Sequence, residues 1–528
     1  MWQKGWREKV WSGIDQEWDL IIIGGGITGA GILRHATAQG LRALLVEAGD
    51  FSSGTSSRSS KLIHGGLRYI LNKQYKVTQE SVRERERLMK EAPHLVTKLG
   101  FFFPNYVRYH TRTFQVGEII AIYDLLAPKW DHRKFSRNRM IEECPDINKE
   151  GLLGGYLYYD AAMDDSRIVI RVLREAVRDG GTAINYARVQ SLLRDNNQKV
   201  CGVVLKDMSS PEGKTQEIKA KVVVNAAGPW VDQIRMQIAG TPRLRRVRGS
   251  HLILPRTRLP LDRAITLVHP RDSRAVFVIP WEGTTILGTT EVDQDPALDM
   301  KYGEPFCSKE ETAYMLEAAT YLFPGLNITA ADIISSFAGL RPIVSGGADS
   351  ASKESRAHSM WEEDGMITIT GGKYTTFRIM ARQTLAAVLQ KLGRPPTIKL
   401  KRVFTKLPEI QARNIDPATL GYLAGRHGGD TAGLISAAGA GELERIGNLP
   451  NVWAELRWAA REEGAVHLDD ILLRRVRLGM LLPGGAKEHI EHIRTLTQAE
   501  LGWSDERWQQ EAGNYLNTWQ RYYSPTPG

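Results

Sequence analysis

The chain begins with a mixed polar and aromatic leader, residues 1–18, and then alternates apolar and polar blocks whose periods identify their elements. An apolar run at 19–23 precedes three glycines, a helical pattern continues to about Gln39, and a second apolar run occupies 41–46. Short apolar runs on either side of a segment with period near 3.6 predict strand, helix, strand. That order starts a parallel sheet covered by helices. Residues 81–95 carry apolar positions at helical spacing, while 200–205 and 221–225 read as strands. Between Val247 and Thr290, short β-rich segments such as 276–279 and 285–287 are separated by Pro and Gly turns, which predicts a second, antiparallel sheet. A helix predicted over 375–392 stops at Gly393-Arg394-Pro395-Pro396, because proline disfavours helical geometry at its own position and before it. Residues 400–528, rich in Ala, Leu, Glu and Arg at helical period, predict a separate helical domain.

Gly24-Gly25-Gly26-Ile27-Thr28-Gly29 fits the pattern GxGxxG at the junction of the first strand and first helix. There Gly24 permits a tight turn, Gly26 lets the backbone approach a pyrophosphate, and Gly29 lets the helix pack closely on the sheet. The helix N-terminus offers N–H groups to the anion. Glu47 follows Gly24 by 23 residues, at the end of the second strand, where a carboxylate accepts a bond from a ribose 2′-hydroxyl and repels a 2′-phosphate. The next segment, TSSRSSKLIHGGLRY at 55–69, gathers hydroxyls, glycines and cations. A solvated loop would account for its serines. Lys61, His64, Gly65, Gly66 and Arg68 in one run fit a loop laid against a pyrophosphate and a flavin ring, which needs small residues, donors and compensating charge.

Composition narrows the setting. At 528 residues the chain is long enough for more than one core. Three scattered cysteines, Cys144, Cys201 and Cys307, build neither a disulfide framework nor a metal cluster and fit a reducing compartment. The leader lacks the apolar centre of a secretory signal, and no later run reaches the roughly 18 apolar residues of a spanning helix. The expectation is a cytoplasmic protein that does not cross a bilayer. A net charge of +10 suits nucleic acid, an anionic membrane surface or an acidic metabolite. No zinc finger or RNA-recognition motif is visible, so nucleic acid ranks low.

The run SSKLIHGGLRY resembles the signature of FAD-dependent, aerobic glycerol-3-phosphate dehydrogenases within the glycine and D-amino-acid oxidase superfamily. VVNAAGPWVD at 223–232, RGSHLILP at 248–255, IPWEGTTILGTTE at 279–291, FAGLRPIV at 337–344, ITGGKYTTFRIMA at 369–381 and HLDDILLRRVRLGM at 467–480 are similar to further segments of that family. The resemblance covers essentially the whole chain. Three positions depart from it: Arg58 interrupts a run of small residues, Glu291 replaces a more usual aspartate, and Phe377 a frequent tyrosine. The implied fold is α/β: a Rossmann-like FAD-binding domain at 19–110 with further segments near 165–240 and 335–392, a substrate domain with a mixed antiparallel sheet at 111–164 and 241–334, and the helical C-terminal domain.

The implied reaction is oxidation of sn-glycerol 3-phosphate to dihydroxyacetone phosphate with FAD as hydride acceptor and electrons passed to a membrane quinone. The resemblance places Arg68, Tyr69, Arg341 and Lys373 on the substrate. His251 is the candidate base, since an imidazole titrating near neutrality can accept a hydroxyl proton, with Arg341 or a bound water sharing the proton traffic. Around FAD it places Gly24, Gly26, Thr28, Gly29, Glu47, Ser57, Lys61, Leu62, His64, Gly65, Gly66, Val189, Gly228, Trp230, Gly339, Gly371, Gly372, Lys373, Thr375 and Thr376. His64 would pack against the flavin or be linked to it covalently. The family also implies peripheral association with the inner face of the cell membrane and a homodimer. Trp2, Trp6 and Val10, with Lys4, Arg7 and Lys9 nearby, form either an interfacial foot or a short helix packed on the protein itself; the apolar stretch 116–126 carries the same two readings. An oxygen-using glycerol-3-phosphate oxidase, an amine or amino-acid oxidase of the superfamily, and a flavin-binding interaction protein are the alternatives.

Overall fold

Two sheets meet along the segments that carry the glycine and histidine motifs. The computed structural model describes residues 1–525 except 72–73, 110–112, 127–130, 211, 239, 296–302, 346–356, 411 and 413–414, with the backbone alone at 68, 71, 109 and 113–115. Strand Trp18–Ile23 is buried along its whole length, as a parallel strand covered on both faces must be. It pairs in parallel with Ala43–Val46 on one side and Thr215–Asn225 on the other. The sheet continues through Thr182–Ile184 at one end and Met366–Gly371 then His358–Glu363 at the other. Helix Ile27–Ala38 crosses between the first two strands and is flanked by helices Asp165–Arg178 and Phe377–Lys391. Leu20, Ile32, Leu33, Val169, Leu173, Phe377 and Leu385 form the dry interior of this layer, each worth roughly 1.5–3 kcal/mol of burial.

Among the described residues the second sheet has ten strands. Strand Leu244–Pro255 lies at its centre of interest, antiparallel to Thr284–Gly288 on one edge and to Ser335–Val344 on the other. This sheet is antiparallel, as its Pro and Gly turns predict, except where Ala264–Val268 runs parallel to Val96–Tyr106. Strands Val96–Tyr106 and Ser335–Val344 fall in segments expected in the cofactor domain, yet both pair in the second sheet. Alternation along a strand specifies its faces and leaves its partner open.

Beyond Pro396 the chain is helical, with Pro417–His427, Ala454–Glu462, Ile490–Leu501 and Asp505–Tyr522 as its main helices. The HLDDILLRR motif forms a π-helix, Asp470–Arg475. It faces the cofactor layer through ion pairs: Arg474 and Arg475 both reach Asp50, just past the second strand.

The N-terminal helix, Trp6–Gly13, packs on the protein itself. Trp2 is 3% exposed and stacks on Phe51 at 5.2 Å, while Trp6 and Val10 are half-buried against the core, so these side chains pack on the protein and do not form an exposed foot. In helix Thr113–Leu126, Val116, Ile120 and Tyr123 turn inward, while Leu125 is 75% exposed. No helix among the described residues is long and apolar enough to cross a membrane.

Candidate active site

A cavity of about 1310 Å³ runs between the two sheets. The first glycine turn forms one wall. Gly24 has φ +116°, and a Cβ there would lie 2.5 Å from the carbonyl oxygen of Ala226. A Cβ on Gly29 would lie 1.9 Å from the carbonyl oxygen of Gly24, so only glycine lets this helix sit so close to the strand. Gly26 and Thr28 line the cavity at the helix start, and the Ile27 amide there donates to Ser56 Oγ at 3.0 Å. Glu47 accepts from the amides of Gly25 at 2.6 Å and Gly49 at 2.8 Å. Burial pushes its carboxyl above the usual range, and these amides oppose that shift. Val189, near the start of strand Ala187–Arg194, lines the same end, next to Ala187, whose amide donates to Glu47 O at 2.7 Å.

The 55–69 loop continues the wall. Leu62, His64, Gly66 and Tyr69 line the cavity, and Thr55 Oγ1 donates to the Leu340 carbonyl at 2.5 Å. Thr375 Oγ1 joins the backbone of His64 through two contacts of 3.3 Å. Gly228, Trp230, Gly339, Gly371, Gly372 and Lys373 also line it. Gly228, at φ +57°, would place a Cβ in open space, so this bare backbone faces room for a ligand.

Several expected residues stand elsewhere. Gly29, Ser57, Lys61, Gly65 and Thr376 are outside the cavity lining. Lys61 was expected among the cofactor ligands, but its ammonium is fully buried against Asp165, at 2.9 and 3.0 Å, and donates to the Ser57 carbonyl at 2.6 Å. Burial lowers it to about 8 against the pull of Asp165; a buried lysine takes the nearest carboxylate before an anion across the loop. The Gly65 amide donates to Tyr123 Oη and Asp160. Ser57 Oγ turns back to the Gly54 carbonyl, and Thr376 precedes helix Phe377–Lys391. Arg58, the departure in this loop, lines the cavity but is ion-paired to Glu304. The Arg68 side chain lies outside the described residues.

On the second sheet, His251 sits opposite Gly288 on one neighbour and Phe337 on the other. Its ring lies flat on Phe337, with centroids 4.7 Å apart. Nε2 meets Ser60 Oγ at 2.8 Å, whereas Nδ1 is buried without a hydrogen-bond partner among the described residues. Burial first, then the charges of Arg341 and Lys61, hold the imidazole well below its usual range. It is therefore neutral near pH 7. Arg341 donates to Thr289 Oγ1 at 2.8 Å and occupies space that a Cβ on Gly249 would fill. The Lys373 ammonium lies 3.7 Å from the centroid of the Tyr69 ring and donates to Ser81 Oγ at 2.7 Å. Ser60, Thr289 and Asp165 were absent from the sequence-derived site; Ser60 stood inside its most telling motif without any spacing to single it out.

Past these groups the same cavity turns apolar. Phe101 stacks on Tyr158 at 5.2 Å and meets Phe277 edge-on, and Val116, Ile119 and Ile120 close the wall from helix Thr113–Leu126.

A cavity lined by a glycine turn, a helix start, a carboxylate and bare glycine backbone fits a dinucleotide carrying a flat ring. The family model described as FAD dependent oxidoreductase matches residues 19–382, and that for the C-terminal domain of alpha-glycerophosphate oxidase matches residues 366–508. The chain is 34% identical over 489 residues to the aerobic glycerol-3-phosphate dehydrogenase of Staphylococcus saprophyticus, with 87% of each chain covered. Against the glycerol-3-phosphate dehydrogenase of Bacillus halodurans, solved with FAD, identity is 30% and the TM-score 0.79, with 98% of each chain covered. L-alpha-glycerophosphate oxidase from Mycoplasma pneumoniae shares the fold at 17% identity and a TM-score of 0.59, over 75% of this chain and all of that one. The chain therefore belongs to the FAD-dependent oxidoreductases, in the family of the aerobic glycerol-3-phosphate dehydrogenases.

Proposed function

We propose that this protein oxidises sn-glycerol 3-phosphate to dihydroxyacetone phosphate, and that its electrons leave to a membrane quinone. The observation that carries this reading is that His251, Arg341, Tyr69 and Lys373 line one cavity together with the glycine turn and Glu47. Gly24, Gly26, Thr28 and Glu47 would hold the diphosphate and ribose of FAD, with Val189 beside the adenine. Leu62, His64, Gly66, Gly228, Trp230 and Gly339 would line its path, and Gly372, Lys373 and Thr375 would face the flavin. When bound, FAD supplies the hydride acceptor.

The protein's own groups account for the rest. The C2 hydroxyl proton passes to His251 Nε2, directly or through Ser60 Oγ, while the C2 hydrogen departs with its electron pair and the carbonyl forms. A base in this position contributes about 10²–10⁴-fold. Arg341 and Lys373 oppose the phosphate dianion, and Arg68 would join them. A guanidinium already tethered to Thr289 needs little reordering to meet phosphate oxygens. The carboxylate of an amino acid would bring less charge to the same cations. The aromatic and aliphatic end of the cavity supports quinone as acceptor, because a flat apolar ring is best received by such walls.

The test is anaerobic mixing of the flavin-loaded protein with glycerol 3-phosphate, glycerol or an amino acid, followed by flavin absorbance. Bleaching by glycerol 3-phosphate alone is expected; bleaching by an amino acid instead would overturn the substrate. The reduced protein is then offered a quinone analogue or oxygen, and faster return of colour with oxygen, with peroxide formed, would make it an oxidase.

A further inference from the structure

Arg477 connects the C-terminal helical domain to the loop that carries Ser60, the partner of the candidate base. Arg477 follows the π-helix, is 1% exposed and holds φ +70°, a left-handed conformation that a residue with a Cβ adopts at a cost. Its guanidinium donates to Asp164 Oδ1 at 3.0 and 3.3 Å, to Asp165, to the Ser57 carbonyl at 3.3 Å and to the Leu473 carbonyl at 2.9 Å. Asp165 has no exposed surface and is a hub. Besides Arg477 it binds the Lys61 ammonium, and it accepts from Ser59 N at 3.0 Å and Ser59 Oγ at 2.7 Å. Residues 57–61 are thus held at Ser57, Ser59 and Lys61 by one carboxylate and the arginine behind it. Ser60, between the held positions, presents its hydroxyl to His251 Nε2.

We infer that Arg477 is a positioning residue for His251, acting through Asp165 and the 57–61 loop to set the Ser60 hydroxyl against the imidazole. This rests on the reading of His251 as the base, and it gives the C-terminal domain a part in the reaction beyond packing. A purely structural arginine would neutralise Asp164 and Asp165 and leave the environment of the His251 ring indifferent to its shape. A positioning arginine acts through its planar fork, which lysine cannot reproduce.

The experiment uses the full-length, flavin-loaded protein with histidine labelled at Cε1, the His251 resonance being assigned by its disappearance in His251→Asn. In Arg477→Lys the His251 resonance is expected to move in the same direction as in Ser60→Ala, and flavin reduction by glycerol 3-phosphate to slow at least tenfold with flavin retained. A His251 resonance that Ser60→Ala moves and Arg477→Lys leaves in place would overturn the inference. Should Arg477→Lys not fold, Ser59→Ala cuts the same chain with a small change: a shifted resonance supports the inference and an unshifted one overturns it. Failure of the underlying reading is separate, because it would appear as unimpaired flavin reduction in His251→Gln whatever the resonances do.

Discussion

The Ser60 hydroxyl lies 2.8 Å from His251 Nε2, across the join between the cofactor loop and the second sheet. Strand Leu62–Ile63, two residues beyond Ser60, pairs with Leu152–Met163 in the same sheet as His251, so the contact forms once this loop has joined the second sheet.

If that base works as proposed, His251→Gln slows flavin reduction by glycerol 3-phosphate about 10²–10⁴-fold in stopped flow, and Ser60→Ala does so more mildly. The pH dependence has a definite sign. Because the folded imidazole titrates well below 6.5, the rate is flat around neutrality and falls only on the acid side, as the ring gains its proton. A rate that still climbs between pH 7 and 8 would place the proton on another group.

Lys61 belongs to the fold before it belongs to the cofactor. With Asp165 fully buried beside it, Lys61→Met removes one of the two cations on that carboxylate and leaves Arg477, so the cost stays below the roughly 3–5 kcal/mol of leaving a buried charge unpaired. A lowered melting temperature is expected, with flavin still bound in the protein that remains folded. A full-strength melting temperature combined with lost flavin would restore the lysine to the cofactor.

Gly24, Gly29 and Glu47 were legible in the sequence because the glycine turn, the helix start and the acid are local: their spacing encodes their geometry. His251, Arg341 and Lys373 sit in separate motifs, and the structure brings them to the lining of one cavity. Hidden were the pairings between distant segments. Lys61 meets Asp165 from 104 positions away and Arg477 meets it from 312, and no local pattern announces either. The sheet membership of strands Val96–Tyr106 and Ser335–Val344 was hidden for the same reason.

Close packing at the glycine turn leaves no room for a methyl group. In Gly29→Ala the new Cβ would lie 1.9 Å from the Gly24 oxygen, well inside van der Waals contact, so helix Ile27–Ala38 must lift from the strand. The ratio of absorbance at the flavin band to that of the protein is expected to fall by at least about half, as the helix start withdraws from the diphosphate. Undiminished flavin content would mean that this turn does not hold the cofactor.

His35 makes stability depend on pH. It is buried on helix Ile27–Ala38 with neither ring nitrogen hydrogen-bonded among the described residues. Burial, then Arg378, Arg382 and Arg34, lowers it to about 3. The unfolded chain then binds the extra proton between about pH 6.5 and 3, so this contribution is intact above pH 6.5 and is lost as pH falls through that window. From pH 7 to 5 the loss is about 2 kcal/mol. His35→Leu should flatten the fall in melting temperature over that range, and an equally steep fall in the variant would locate the sensitivity elsewhere.

The apolar end of the cavity separates the two electron acceptors. Ile119 lines it from helix Thr113–Leu126, whose outer face carries the exposed Leu125, so the same helix borders both the cavity and the surface. A carboxylate placed there by Ile119→Asp opposes entry of an apolar ring, because leaving water costs a charged group far more than it costs oxygen to diffuse past. Return of flavin colour with a quinone analogue should slow at least tenfold more than reduction by glycerol 3-phosphate does, whereas return with oxygen should change little. Equal slowing with both acceptors would mean that the helix serves the shape of the whole cavity. Unchanged rates with both would send the quinone to another face of the protein.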